Sequence, residues 1–237
     1  MKKFYQTEWH EIYFTSFASP SSELPTQKFY DMFYDRFFIK YKNFNELDEG
    51  WVTYKTKVAK HIENIVEQSS SVLSIGSGIG IVEDILTKSN KNIEVVAIEP
   101  SQNASKWVRS NPNIRLFDGY FPECLDEELR VDLAYANNID YVFDKDEYRL
   151  FLKSVVDYGI SDFLIITTAN YTVKTALSSF VKSLLGAMKI IEKLNGGQFW
   201  GYLRSKSEHR NALIEAGFNE IKISMLGKDT VLIRAKI

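Results

Sequence analysis

Short apolar runs alternate with amphipathic helical stretches from Ser71 to the end of the chain, and this alternation restricts the fold more than any other feature. Repeated strand-helix-strand units need right-handed crossovers, which place parallel strands in one sheet and helices on both of its faces. We therefore predict an α/β fold with a mostly parallel sheet. The predicted strands span residues 72–75, 93–98, 114–117, 131–136 and 163–168.

Capping signals delimit the helices that connect these strands. One helix follows Gly80, and a second covers residues 101–110. A third covers residues 144–158, where Glu147 completes a capping box and Gly159 ends the helix. These helices fit between the predicted strands, as the crossovers of a parallel sheet do.

The chain closes with a further helix and a pair of strands. Ser205 and Glu208 form another capping box, and the helix that they begin ends at Gly217. Two strands follow, at residues 218–225 and 230–237, joined by a short connection that contains a glycine. This arrangement predicts an antiparallel hairpin at the edge of the sheet.

The first 70 residues differ from the rest, because 16 of the 33 aromatic residues lie before residue 55. Apolar residues at helical spacing predict one helix over 26–41 and another over 50–68. We interpret residues 1–70 as a helical, aromatic-rich cap on a main domain of residues 71–237. The cap aromatics either pack as core against the main domain or line a substrate pocket as a lid.

A long amphipathic helix is predicted at residues 171–194, outside the strand-helix alternation, and we treat residues 171–203 as an insertion. The cap and the insertion both leave the carboxyl-end side of the sheet, so we expect their apolar faces to bury each other. Such a cover would order when a ligand binds. Pairing of the same segments between two chains would instead make them a homodimer interface.

Composition limits the partners of this chain. Its 29 basic and 31 acidic residues are interspersed and give a net charge of -2, so no cationic face for nucleic acid is expected. Cys124 is the single cysteine, which excludes an intrachain disulfide and a multi-thiolate metal site and fits a reducing, cytoplasmic setting. Neither a signal peptide nor a membrane-spanning run is visible, so no membrane partner is expected.

A predicted strand at residues 72–75 runs directly into a glycine-rich turn and then a helix. The turn contains Gly76, Ser77, Gly78 and Gly80. Glycines let the backbone turn sharply and let a ligand approach the main chain, and the following helix begins with unpaired N–H donors. The next strand ends at Glu99, 19 residues after Gly80, where a carboxylate can accept hydrogen bonds from both hydroxyls of a ribose.

A dinucleotide is the rival ligand for this turn. Its fingerprint is G-x-G-x-x-G, whereas Ile81 follows Gly80 here, so the third glycine comes one residue early. A turn with no ligand is the other alternative. Three alternating glycines cost backbone entropy that a turn alone would not require.

The order of motifs from Ser71 to Ile237 resembles that of the Rossmann-like, class I family of S-adenosylmethionine-dependent methyltransferases. Residues 72–80 look like the family's glycine motif, residues 95–100 like its ribose-binding strand end, and residues 117–119 like its adenine-binding strand end. The final hairpin is similar to the family's reversed last strand. The resemblance implies a seven-stranded sheet with helices on both faces and S-adenosylmethionine as the cofactor.

The resemblance also implies contacts with the cofactor. The glycine turn would hold the aminocarboxypropyl part, Glu99 the ribose, Asp118 the adenine amino group and Asn137 the methionine side near the sulfonium. The residues of these motifs that would bind the cofactor are Gly76, Ser77, Gly78, Gly80, Glu99, Pro100, Asp118, Gly119 and Asn137. Tyr54 lies one helix before the first strand, where it either covers the cofactor edge or packs in the core. The family often has an acidic residue two positions before the first glycine, where this chain has Ser74.

Methyl transfer to a hydroxyl needs alignment and a group that removes a proton as the nucleophile attacks. Asp140 lies just beyond the fourth predicted strand, where ligands of such sheets bind. His10 in the cap and His209 in the helix after the insertion are further candidates for catalysis. The alternatives are a turn-capping role for Asp140 and a surface or packing role for the histidines.

We therefore expect an S-adenosylmethionine-dependent methyltransferase with a small or carrier-linked acceptor, for example a sugar or glycan precursor. Oxygen is the expected acceptor atom. The alternatives are an NAD-dependent oxidoreductase and a non-catalytic subunit that binds the cofactor.

Overall fold

The computed structural model describes residues 1–125, 129–170 and 197–237, and a seven-stranded sheet forms its centre. The strands are β1 (Lys2–Gln6), β2 (Glu8–Trp9), β3 (Ile12–Tyr13), β4 (Ser71–Ile75), β5 (Glu94–Glu99), β6 (Ile114–Asp118), β7 (Leu133–Asn137), β8 (Asp162–Thr167), β9 (Gln198–Leu203), β10 (Glu220–Leu226) and β11 (Thr230–Lys236). The α-helices are α1 (Gln27–Lys40), α2 (Glu49–Ile65), α3 (Ile81–Thr87), α4 (Lys106–Arg109), α5 (Lys145–Asp157) and α6 (Lys206–Ala216).

The central sheet has the strand order β10-β11-β8-β7-β4-β5-β6. Strand β4 pairs in parallel with β5 and β7, and β6 and β8 continue the sheet in parallel on either side. Strand β11 is antiparallel to β8, and β10 is antiparallel to β11. These pairings confirm the predicted Rossmann-like sheet with a C-terminal antiparallel hairpin. The chain passes from β4 to β5 on one side and later returns to β7 on the other, so ligands are expected at the carboxyl end of β4.

Helices cover both faces of the sheet, which explains why its central strands are apolar throughout. Successive side chains of a strand point to opposite faces, so Val72 of β4 belongs to one hydrophobic core and Leu73 to the other. The first core contains the aromatic residues of the cap, and the second contains apolar residues of α5 and α6. The cap and one face of the sheet therefore share a single core.

The structure confirms the predicted ends of two helices. Capping boxes begin α5 at Asp144 and α6 at Ser205, and Gly217 ends α6 in a left-handed conformation. The helix predicted over 101–110 is shorter, because the Oγ of Ser101 accepts the N–H of Ala104 at 3.1 Å and holds that stretch in a turn.

The segment before α1 forms strands, which corrects the description of residues 1–70 as wholly helical. Strand β1 pairs antiparallel with β9, and β2 and β3 form a small hairpin. The β1–β9 ladder joins the cap to the end of the predicted insertion at residues 171–203. The helix predicted at 171–194 lies outside the described residues.

Aromatic side chains pack the cap internally and against β9. Phe33 of α1 is fully buried and stacks on Trp9, with ring centroids 4.9 Å apart. Phe14 stacks on Trp200 of β9 at the same separation of 4.9 Å.

Within the part of the chain that the structure describes, no helix is long and apolar enough to cross a membrane.

Candidate functional site

A cavity of about 1000 Å³ lies at the carboxyl ends of the central strands, beneath the cap. Its lower wall contains the glycine turn and residues at or just after the ends of β5 and β7. Its upper wall comes from the cap and β9. The volume lies at the upper end of the range typical of small-molecule sites.

The glycine turn lines this cavity through Gly76, Ser77 and Gly78. Gly76 has a φ of 76°, and a Cβ there would lie 2.7 Å from Cγ2 of Ile139. A Cβ on Gly78 would have Oη of Tyr34 as its nearest neighbour, at 3.8 Å, which is an ordinary van der Waals contact, so this position is not tightly packed. A ligand can therefore approach the backbone of the turn closely at Gly78.

Gly80 has a different role from the one that the sequence suggested. It caps α3 in a left-handed conformation with a φ of 79°, and a Cβ there would lie 2.2 Å from Cγ2 of Val108. Gly80 is not among the residues that line the cavity. Its requirement for glycine comes from the close packing of α3 on α4, so the predicted ligand contact is corrected to a structural role.

Glu99 ends β5 inside the cavity and connects two loops. Its Oε2 accepts the N–H of Gly78 at 2.8 Å, and its Oε1 accepts the N–H of Ser101 at 2.9 Å. Burial raises the pKa of Glu99 to about 7, and the two backbone donors oppose that rise. Each carboxylate oxygen still has a lone pair, so Glu99 can accept hydrogen bonds from neighbouring hydroxyls of a ligand.

A chain of hydrogen bonds connects the cap to the ends of β7 and β8. The hydroxyl of Tyr54 donates to Oδ1 of Asn137 at 3.0 Å and accepts from Nδ2 of Asn138 at 3.1 Å. The Oδ1 of Asn138 in turn accepts the N–H of Thr168 at 2.9 Å. Helix α2 thus fixes the orientation of the Asn137 amide, and all four residues line the cavity.

Three buried polar atoms on the cavity wall have no hydrogen-bond partner among the described residues. They are Oγ of Ser77, Nδ2 of Asn137 and Oε1 of Gln6. Buried polar groups are normally paired, and leaving one unpaired costs about 1–3 kcal/mol. A polar ligand in the cavity would pair them.

The structure places some, but not all, of the residues predicted near the adenosine part of the cofactor on the cavity wall. Gly119 and Pro100 line the cavity, together with Tyr120. Asp118 does not line it, because its carboxylate forms an ion pair with Arg109 at the surface. A contact between Asp118 and adenine remains a prediction.

Asp140 and His209 are brought together, but away from the cavity. Both are buried, and Nε2 of His209 lies 3.7 Å from Oδ2 of Asp140. The Nδ1 of His209 shares a hydrogen bond of 2.8 Å with the hydroxyl of Tyr148. Neither Asp140 nor His209 lines the cavity, so their predicted catalytic roles are corrected to a buried polar contact between the loop after β7 and α6.

His10 is the predicted catalytic residue that the structure places on the cavity wall. It packs edge-on against Trp51, with ring centroids 4.8 Å apart. Burial, with the nearby charge of Lys55 as the next contribution, lowers the pKa of His10 to about 4. Its imidazole is therefore neutral at physiological pH and is a weaker base than an exposed histidine.

The sequence matches no protein-family model and no curated protein, whereas solved structures match over most of the chain. Human N-acetylserotonin methyltransferase, solved with S-adenosylmethionine, aligns with a TM-score of 0.62 at 14% identity, covering 94% of this chain and 61% of its own. Magnesium protoporphyrin IX methyltransferase from Synechocystis, solved with S-adenosylhomocysteine, aligns at 0.61 and 11% identity, covering 90% and 95%. The mitomycin 7-O-methyltransferase aligns at 0.62 and 16% identity, covering 88% and 57%.

The chain has the class I methyltransferase fold. It spans about three fifths of the length of the human and mitomycin enzymes and nearly the full length of the Synechocystis enzyme. Several features of its methyltransferase-fold cavity were not predicted from the sequence. Strand β9 brings Trp200 to the cavity wall, and α3 and α2 bring Glu83 and Lys55.

Proposed function

We propose that this protein transfers a methyl group from S-adenosylmethionine to a hydroxyl oxygen of a small molecule. The observation that carries the proposal is that the glycine turn, Glu99 and aromatic residues of the cap line the same cavity. The fold and the S-adenosyl ligands of two structural neighbours support the choice of cofactor. The large aromatic upper wall supports a compact acceptor over a polymer.

The cavity residues fit this cofactor. Glu99 offers acceptor oxygens to the ribose hydroxyls, and the absence of a side chain on Gly78 leaves its backbone accessible from the cavity. The unpaired Oγ of Ser77 and Nδ2 of Asn137 offer hydrogen bonds to the polar methionine end. Gly119 and Pro100 line the wall where the resemblance places adenine and ribose.

When bound, S-adenosylmethionine supplies an electrophilic methyl group on a sulfonium. The chain's own residues must then hold the acceptor oxygen in line with that group and exclude water. Tyr141 and Trp200 present stacked rings, 6.5 Å apart, on the acceptor side of the cavity. Such rings suit an acceptor with a flat apolar face, either an aromatic ring or the apolar face of a sugar.

His10 is the residue that we assign to proton removal. Its neutral ring lies on the cavity wall and can accept the proton of the acceptor hydroxyl as the oxygen attacks. The ammonium of Lys55 nearby disfavours a long-lived imidazolium, so the proton would pass on to solvent.

Turnover with a methyl-labelled donor and a panel of phenols and sugar hydroxyl compounds tests the proposal. We expect label transfer to oxygen in at least one class, and a lower kcat for His10→Gln with unchanged affinity for S-adenosylhomocysteine. His61→Gln is the matched control, because His61 lies on α2 and does not line the cavity. Equal kcat for wild type and His10→Gln would remove His10 from the mechanism.

A further inference from the structure

Glu83 is a buried carboxylate beside the position where the methyltransferase fold often carries an acid and this chain has Ser74. It lies on α3 and is 2% exposed. Its Oε1 accepts the hydroxyl of Ser74 at 2.5 Å and the hydroxyl of Tyr135 at 2.6 Å. The serine that replaces the expected acid thus binds a carboxylate supplied by the next helix.

The second oxygen of Glu83 is not used by the fold. Among the described residues, none donates a hydrogen bond to Oε2, although Glu83 lines the cavity next to Gly76 and Ser77. Taking a carboxylate out of water is costly unless charges or hydrogen bonds compensate it. Two hydroxyls compensate one oxygen, and a cationic donor in the cavity would compensate the other.

Lys55 provides a positive charge on the same cavity. It lies on α2, half-buried, with its ammonium 5.3 Å from the centre of the Trp51 ring. Burial lowers the pKa of Lys55 to about 8, and the charge of Glu83 opposes that decrease. No ion pair within 4.0 Å joins Lys55 and Glu83 in the described part of the chain. Glu83 and Lys55 therefore present opposite charges to one cavity without pairing with each other, which suits a zwitterionic ligand.

We propose that Glu83 and Lys55 together bind the amino-acid end of S-adenosylmethionine. Glu83 accepts hydrogen bonds from its ammonium, in place of an acid at position 74, and Lys55 pairs with its carboxylate. The assignment rests on the proposed function. It gives the methionine end two charged contacts beside the neutral Ser77 and Asn137.

Two adenosine ligands separate this role from a purely structural one. S-adenosylhomocysteine carries the amino-acid end, whereas 5′-methylthioadenosine has the same adenosine and thioether without it. Glu83→Gln and Lys55→Met should each weaken S-adenosylhomocysteine binding by roughly tenfold or more and leave 5′-methylthioadenosine within about twofold. Lys57→Met is the matched control, because Lys57 is exposed on the same helix and does not line the cavity.

Calorimetric titration of the four proteins with both ligands gives distinct outcomes. Selective loss of S-adenosylhomocysteine binding in both variants supports the assignment, with Glu83→Asp measured where Glu83→Gln does not fold. Selective loss in only one of the two overturns the role of the other residue. Equal loss of both ligands, or no loss, overturns it and leaves the proposed function standing. Wild-type protein that binds neither ligand would overturn the proposed function, and this assignment with it.

Discussion

Replacing Glu99 with alanine is expected to weaken S-adenosylhomocysteine binding by about 1–3 kcal/mol, which is roughly a fivefold to 150-fold increase in Kd. The variant loses the acceptor for the ribose hydroxyls. It also loses the bonds that hold Gly78 and Ser101 in place. Calorimetric titration measures the change directly.

The same residue predicts a pH dependence of binding. Because burial raises the pKa of Glu99 to about 7, its carboxyl group is partly protonated in the free protein near neutral pH. Ribose hydroxyls donate to the ionised form, so binding releases a proton from Glu99 and the affinity rises from about pH 6 through pH 7, below the pKa of about 8 at which Lys55 loses its charge. Glu99→Gln should bind more weakly and lack this rise.

Glu94→Ala provides the matched control for Glu99. Glu94 begins the same strand, is exposed and lies at the opposite end from the cavity. Its replacement should leave both the affinity and its pH dependence unchanged. If Glu99→Ala binds as tightly as Glu94→Ala, Glu99 does not contact the ligand.

Phe33→Ala is expected to lower the free energy of unfolding by about 3–5 kcal/mol, the usual cost of truncating a buried phenylalanine. Phe33 is fully buried, stacks on Trp9 and belongs to the core that joins the cap to the sheet. Because that core is shared, the whole chain should unfold in one transition at a lower temperature. Thermal unfolding followed by both far-UV and near-UV circular dichroism measures this.

Ile39→Ala is the control for Phe33, since Ile39 lies on the same helix and is 73% exposed. It should change stability by about 0.5 kcal/mol or less. A variant Phe33→Ala in which the cap melts separately, with the main transition unmoved, would contradict a shared core. The cap would then be a lid over the substrate pocket, which was the alternative to core packing for its aromatic residues.

Local patterns in the sequence were sufficient to predict the central strands and the starts of two helices. Apolar runs placed β4, β5 and β7 to within two residues, and capping boxes placed the starts of α5 and α6. The position of Glu99 at the end of β5 was predicted from its spacing after the glycine turn. These features depend on neighbours in sequence, so a single sequence contains their signal.

Contacts between distant segments could not be predicted in the same way. Strand β1 finds its partner in β9, almost 200 residues later, and neither segment has strong alternation. Asp140 lies just after β7, where ligands of such sheets bind, yet its side chain lies near His209 and does not line the cavity. Glu83 gave no sequence signal, because only the packing of α3 on β4 brings it to Ser74.

The proposed binding of S-adenosylmethionine and transfer of its methyl group are tested most directly by calorimetric titration of the wild-type protein with S-adenosylhomocysteine and, separately, with NAD. We expect saturable heat with S-adenosylhomocysteine, at one site per chain, and none with NAD. Clear binding of NAD with no heat from S-adenosylhomocysteine would contradict this proposal and favour an oxidoreductase.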